Sequence, residues 1–295
     1  MKIKKMSESI AVLMTCHNRR DKTLACLKSV YEQKETPYKV VIYLVDDGSS
    51  DGTSDAVRLT YPDVNILAGN GNLFWNKGMH KAFGAAIDND HKFYVWLNDD
   101  CELYKDTFLV LTESFASLEQ ESDSSLHIIG SAFHEIGNEE FTYGGVRKYK
   151  NWLGRVKQLR IKPSSGALQA CQAVNGNCVL ISREVVRLVG NLDPVFTHRW
   201  GDHDYCFRAL EESCSVWLAP GYRGTCDANP IDGTWEDVTL PLSKRFNALR
   251  SQRGYYPPDY KVYLKRHRGV WWWLNYIAPY LKIIVSQITG TLKPQ

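Results

Sequence analysis

The sequence predicts an α/β protein, with a Rossmann-like, mostly parallel central sheet, flanking helices and a C-terminal helical extension. Three observations carry that expectation. Short runs of β-branched and aromatic residues alternate with helically spaced segments through the first 130 residues, the pattern of a parallel sheet covered on both faces. Polar loops follow the apolar runs, as they do where strands end at a ligand crevice. Beyond residue 240 the chain turns basic and then aromatic.

Taken in order, residues 10–16 read as the first strand. Residues 21–33 read as a helix with Leu24, Leu27, Val30 and Tyr31 at helical spacing. Residues 40–45 form a strand of branched residues, 46–53 a turn and 54–60 a short helix. Residues 64–67 are a strand, 76–89 a helix and 93–97 a buried strand that ends in Asn98-Asp99-Asp100. After about residue 135 the pattern loosens. Residues 137–145 and 162–166 read as loops, and 170–181 as extended chain interrupted by Asn175-Gly176-Asn177. Residues 182–189 suit a short helix capped by Ser182, 205–213 a helix and 215–218 a small strand. Helical segments at 242–251, from Pro257-Pro258 onward and at 269–291 complete the extension.

The chain has 295 residues, 44% hydrophobic and 23% charged, enough for one large core or two modest ones. A net charge of +3 does not indicate nucleic acid. Between residues 243 and 268, however, eight Lys/Arg face a single acid, Asp259. No nucleic-acid module accompanies them, so no nucleic-acid partner is expected. None of the eight cysteines makes a Cys-x-x-Cys pair, which argues against a zinc ribbon or thioredoxin-like motif and for a reducing, cytoplasmic compartment. The basic residues 1–5 lead into a short apolar run without a cleavage site, so the first strand is expected there rather than an export signal.

Chemistry concentrates in three loops at strand ends: Thr15-Cys16-His17-Asn18-Arg19, residues 46–53 and Asn98-Asp99-Asp100. In a parallel sheet these ends converge on one crevice. Their donors, carboxylates and glycines suit a nucleotide, because an aspartate can accept from a uracil or thymine N3–H and glycine permits close approach. Adjacent carboxylates repel unless a positive group joins them, and a divalent metal is the usual answer; a plain strand-to-turn transition is the alternative. Spacing excludes three simpler motifs. An EF-hand would need an acid where Arg58 stands, a dinucleotide fingerprint a glycine where Phe74 stands, and a Walker A loop a Gly-Lys-Ser/Thr that is absent.

Residues 10–19, Val45-Asp46-Asp47-Gly48-Ser49-Ser50-Asp51-Gly52-Thr53, Asn76-x-Gly78 and Leu97-Asn98-Asp99-Asp100 together resemble glycosyltransferase family 2, the inverting enzymes of GT-A fold. Gly71-Asn72-Leu73-Phe74-Trp75-Asn76 and Gly201-Asp202-His203-Asp204-Tyr205-Cys206-Phe207-Arg208 resemble its bacterial rhamnosyltransferase-type subgroup. The resemblance covers roughly residues 8–240. It implies a GT-A domain over 1–240, with nucleotide-sugar binding in about 1–130 and the acceptor side and catalytic base in 131–240. Residues 241–295 form the basic, aromatic helical extension.

The resemblance also implies roles. Thr15, His17 and Asp47 would meet the nucleobase, with Asn18 and Asn72 in the same donor site. Asn76 and Gly78 would line the nucleotide pocket, and Asp99 would meet the donor's ribose or sugar. Asp100 would be the metal-binding acid for Mg2+ or Mn2+; Asn98 departs from the family's two-acid form. Asp202 would be the catalytic base, with Asp204 its competitor and helix capping the plain alternative. Asn175-Gly176-Asn177 could line the acceptor side or form a tight turn. His198 and His203 could touch metal or phosphate, or be ordinary histidines. Some family members place a late histidine on the metal; residues 221–229 hold none, leaving Cys226 or Asp227 as substitutes.

The implied activity is inverting transfer of a sugar onto a hydroxyl of a lipid-linked bacterial surface polysaccharide (O-antigen, capsule or cell-wall glycan). The subgroup favours dTDP-rhamnose as donor, and UDP-hexoses remain open. A nucleotidylyltransferase is one rival, but it would carry a Gly-rich loop after the first strand, and residues 15–20 hold no glycine. A non-catalytic sugar- or membrane-binding module is another. Residues 269–285, interrupted by Asn275 and Pro279, are marginal for spanning a bilayer. Their Trp and Tyr, behind a basic stretch, suit peripheral docking on the inner face of the cytoplasmic membrane. Packing on the core or a homodimer contact are the alternatives.

Overall fold

A computed structural model describes residues 8–34, 36–150 and 156–290; the basic residues 1–5 lie outside them. The elements begin with β1 (Ser9–Cys16), α1 (Arg20–Tyr31), β2 (Lys39–Asp46), α2 (Thr53–Thr60), β3 (Asn65–Ala68), α3 (Phe74–Ile87) and β4 (Phe93–Leu97). There follow β5 (Glu102–Leu103), α4 (Thr107–Ser122), β6 (His127–His134), β7 (Phe141–Tyr143), β8 (Gly145–Lys150), β9 (Val156–Ile161), β10 (Gln169–Cys171), β11 (Ala173–Val174) and β12 (Cys178–Ser182). The chain continues through α5 (Arg183–Val189), α6 (Gly201–Glu211), β13 (Ser215–Thr225), α7 (Leu242–Arg250), α8 (Pro257–His267) and α9 (Trp272–Thr289).

The first seven elements are the expected βα alternation. They build a parallel half-sheet in the order β3-β2-β1-β4. Period-2 alternation explains why strands form here. Ala11 and Leu13 of β1 and Tyr94 and Trp96 of β4 face one core; Ile10, Val12, Met14, Phe93, Val95 and Leu97 face the other. Helix α3 covers the first face with Met79, Ala82, Phe83 and Ala86, and α1 covers the second with Cys26, Leu27 and Val30. With both faces covered, the central strands are apolar throughout.

Beyond β4 the sheet is mixed, which corrects the expectation of a mostly parallel one. β12 returns antiparallel between β4 and β6, β13 then runs parallel to β6, and β10 pairs antiparallel at the edge. The segment 170–181 is three strands in two sheets, because β11 joins β8 and β9 in a small second sheet. The expected loop at 137–145 contains β7, and the expected strand at 215–218 extends to Thr225. Helix α4 and strand β6 have no counterpart in the sequence expectation. Phe108, Leu111, Phe115 and Leu118 of α4 do sit at helical spacing, and all four are buried.

The extension packs on the core. Tyr260, Tyr263 and Leu264 of α8 join the α3 face of the core, and Ile283 of α9 packs with Trp235 and Leu249. Arg245, fully buried on α7, donates to the carbonyls of Trp235 and Ile283 and to Ser286 and Gln287. Pro279 inside α9 lacks the N–H that would pair with the Asn275 carbonyl. The Tyr260 hydroxyl supplies that bond instead, at 3.0 Å.

Candidate active site

The loops leaving β1, β2 and β4 meet at one end of the sheet. The first two are knitted together. His17 Nδ1 lies 2.6 Å from the Asp47 carbonyl, the Asn18 side-chain oxygen accepts the Ser50 N–H at 2.7 Å, and Asp51 accepts the Arg20 N–H at 3.0 Å. Asp46 holds its own turn through the Ser49 N–H and the Ser54 hydroxyl. Buried Asp47 accepts three backbone N–H groups: Gly71 at 2.8 Å, Leu73 at 2.8 Å and Phe74 at 3.1 Å. Three of a carboxylate's roughly four acceptor positions are therefore filled. Asp47 anchors the loop at 69–74 and keeps about one acceptor position for the expected nucleobase contact.

Gly78 and Asn76 also have packing roles. A Cβ on Gly78 would stand 2.3 Å from the Thr15 hydroxyl, so this glycine lets α3 press on the end of β1. Asn76 is fully buried, and its amide donates to the carbonyls of Asp193 and Phe196, both at 2.8 Å. A Cβ on Gly201 would strike its oxygen. Gly78 thus seats Thr15, and Asn76 clamps the loop before α6. Asn72 is exposed at the rim, with its N–H on the Asn70 side chain at 3.0 Å.

At the end of β4 the two acids have a positive partner within the chain. Arg19 donates to Asp99 at 3.1 Å and to Asp100 at 2.8 Å. Asp99 is buried, and its second oxygen has no partner among the described residues. Burial pushes its carboxyl up to about 6; Arg19 pulls it back and Asp100 adds to the rise. An orphaned carboxylate oxygen sealed from solvent is costly. The half-exposed Asp100 lies beside Cys101 and Cys226, with one ligand atom of each within 4.8 Å of the others. These residues fit a divalent ion: Asp100 would hold it, and the ion would neutralise charge on a leaving diphosphate.

Asn98 is not a failed metal ligand. Its side-chain oxygen accepts the Trp75 indole N–H at 2.6 Å, and its N–H donates to the Asn177 carbonyl at 3.0 Å. The loop at 175–177 lies against Trp75 so closely that a Cβ on Gly176 would stand 2.3 Å from the ring. The Gly176 N–H then donates to Asp202 at 3.1 Å, and the His203 N–H donates to the other Asp202 oxygen at 2.8 Å. A continuous path from Trp75 through Asn98 and Gly176 thereby ties Asp202 to the Asp99-Asp100 edge. Asp202 forms no salt bridge among the described residues. Asp204 differs: it is fully buried and meets Arg208 at 3.0 Å, Arg266 at 3.0 Å and His267 at 2.9 Å. Its oxygens are occupied, which leaves Asp202 as the carboxylate able to act on a ligand.

His198 accepts the Trp75 N–H at 3.3 Å. Burial pushes it down to about 4, helped by the nearby guanidinium groups of Arg199, Arg253 and Arg19. A ring that low stays neutral at physiological pH, with three positive groups around it. His203 is pushed down by burial as well. Backbone strain marks the same region. Phe74 (φ 55°) and Trp200 (φ 80°) adopt left-handed conformations that cost bulky residues about 1–3 kcal/mol each. Arg19 and Trp75 had no role of their own in the sequence expectation, although Arg19 belongs to the loop at 15–19; Gly176 was expected at the acceptor side or in a tight turn.

Known structures share this architecture. The crystal structure of GalNAc-T7 with UDP, GalNAc and Mn2+ aligns over 89% of this chain with a TM-score of 0.60 at 15% identity; the chain spans about half of that protein's length, 51%. Mannosyltransferase PcManGT from Pyrobaculum calidifontis, in complex with GDP-Man and Mn2+, aligns over 99% of this chain and 77% of its own, with a TM-score of 0.54 at 14% identity. S. aureus TarS 1–349 aligns over 96% and 82%, with a TM-score of 0.52 at 12% identity. The fold is GT-A-like, with the mixed sheet described above. In sequence, glycosyltransferase AglE of Haloferax volcanii is 23% identical over 229 residues, covering 75% of this chain and 68% of that protein. Residues 11–179, more than half of the chain, match the profile of glycosyl transferase family 2, and the protein belongs to that family.

Proposed function

We propose that this glycosyltransferase moves a sugar, with inversion, from a dTDP- or UDP-linked donor onto a hydroxyl of a lipid-linked surface polysaccharide. The proposed sugar is rhamnose, from the resemblance of residues 71–76 and 201–208 to the rhamnosyltransferase-type subgroup. One observation carries the mechanism: a carboxylate free of ion pairs, Asp202, is aimed by two backbone N–H groups and tied through Gly176 and Asn98 to the Asp99-Asp100 pair.

Asp202 takes the proton from the acceptor hydroxyl as that oxygen attacks the anomeric carbon. The diphosphate departs from the opposite face, so the configuration inverts. Arg19 brings positive charge to the leaving-group side, and Arg199 and Arg253 add to it around His198. Asp99, whose second oxygen has no partner among the described residues, would meet the donor's ribose or sugar. Mg2+ or Mn2+ at Asp100 would neutralise the charge that develops on the diphosphate.

The lipid-linked acceptor is supported by the extension. The outer face of α9 leaves Ile277, Leu281, Ile284 and Ile288 exposed, and the exposed Lys261 and Lys265 of α8 reach α9 over the Tyr276 and Trp272 rings. Among the described residues no helix is long and apolar enough to cross a membrane, so this face suits lying on the cytoplasmic leaflet rather than spanning it.

Asp202→Asn tests the base. Transfer should fall by about 10²–10⁴-fold while calorimetric binding of the nucleotide-sugar is unchanged. A variant that turns over at the wild-type rate removes Asp202 from the mechanism.

A further inference from the structure

We propose that Cys226 is a ligand of the divalent metal held at Asp100, with Asn177 and Cys101 shaping the sulfur side of the site. The inference rests on the metal-assisted reading above and adds a thiolate to it.

The fold delivers Cys226 to that position. Strand β13 pairs with β5 through Gly224–Leu103 and Thr225–Glu102, which brings the next residue back beside Asp100 and Cys101. The approach is tight: a Cβ on Gly224 would stand 2.2 Å from the Glu102 carbonyl. The Cys226 thiol points at the Asp100 carboxylate, with 3.7 Å between Sγ and Oδ1. Behind it, the buried Asn177 amide donates to both sulfurs, at 3.4 Å to Cys226 and 3.6 Å to Cys101. The Asn177 amide thereby fixes the orientation of both sulfurs, as outer partners orient a metal ligand. Asp227, the neighbouring alternative, is turned away and accepts the Ile136 N–H at 3.0 Å.

The chemistry balances. As the cation binds, the Cys226 thiol loses its proton to water and a metal–sulfur bond forms beside the metal–carboxylate bond. A mixed oxygen and sulfur set favours Co2+ or Zn2+ over Mg2+, which prefers oxygen alone.

Titration of the full-length protein with Co2+, without nucleotide, reads the bond directly. The wild type should develop a near-ultraviolet sulfur-to-cobalt charge-transfer band that saturates with the ion. Cys226→Ser should lose the band and bind Co2+ about 10–100-fold more weakly by calorimetry. Cys214→Ser, at the opposite end of β13, should keep both. Cobalt X-ray absorption of the wild type, which needs no variant, should count a sulfur neighbour. Saturating Co2+ without a band or a sulfur neighbour, or a band that survives Cys226→Ser, overturns the proposal. Nucleotide-sugar binding with Mg2+ separates the two readings: binding without a sulfur band removes Cys226 and leaves the transferase mechanism standing, while a band without nucleotide-sugar binding does the reverse.

Discussion

Arg19 bridges Asp99 and Asp100, so two adjacent acids do not by themselves demand a metal. Adjacent carboxylates announce that positive charge is needed; they do not announce its source, and an arginine 80 residues earlier is invisible to local pattern. Asn98 teaches the converse. It looked like a defect in a metal motif, yet a neutral acceptor suits the Trp75 indole N–H without adding a third negative charge. The same path makes Gly176 a sensitive position. Gly176→Ala would place a methyl 2.3 Å from the rigid Trp75 ring, so the loop must shift and carry Asp202 with it. A displacement near 1 Å at a catalytic group costs about 10²-fold. Transfer should fall by about that factor while nucleotide-sugar binding persists; a variant with the wild-type rate would show that the loop does not position Asp202.

Helices show what periodicity can and cannot reveal. The first three strands and their helices were legible because alternation and helical spacing are local. The antiparallel return of β12 between β4 and β6 was not, because strand order is decided by packing across the sheet. Helix α6 was expected from residue 205, but it begins at Gly201 and holds Asp202 and Asp204 in its first turn. Asp204 locks α6 to α8. Burial alone would raise its carboxyl, but His267, Arg266 and Arg208 more than offset this and hold it below the usual carboxylate range. A folded value below the unfolded one stabilises the protein above the unfolded value, about 3.9, and that contribution is lost as pH falls through the folded value. Asp204→Asn should therefore destabilise the neutral-pH protein by about 2–3 kcal/mol, less than a wholly buried pair because Arg208 and Arg266 are partly exposed. The difference from wild type should shrink below pH 4. Urea unfolding at pH 7 and pH 3.5 measures both, and equal differences at the two pH values would rule out the ionised carboxylate as the cause.

At the scale of the molecule, the extension is both part of the core and the part that faces outward. Its inner residues were not separable from its outer ones by composition, since both are apolar. The structure divides them: Ile283 and Ser286 of α9 are buried, while Ile277, Leu281, Ile284 and Ile288 share an exposed stripe. The anchoring reaches the catalytic loop, because Asp259 of α8 accepts the Thr197 N–H at 2.6 Å and Trp200 stacks on Tyr260 and Tyr263. A surface that received this stripe would therefore hold Asp202 at a fixed height above itself, which is what an enzyme acting on a lipid-linked acceptor requires. Each apolar methylene that leaves water contributes about 0.8 kcal/mol, and each nearby Lys or Arg about 1 kcal/mol on an anionic leaflet. The double variant Ile277→Glu, Leu281→Glu removes apolar contact and adds repulsion at exposed positions where folding stability changes by only about 0.5 kcal/mol. The wild type should co-sediment with phosphatidylglycerol vesicles, less so as salt rises, and the double variant should stay in solution with an unchanged melting temperature. Transfer to a short water-soluble acceptor should be the same for both, because the stripe lies away from the catalytic loops. A wild type that ignores anionic vesicles would exclude leaflet docking and leave the stripe to another partner.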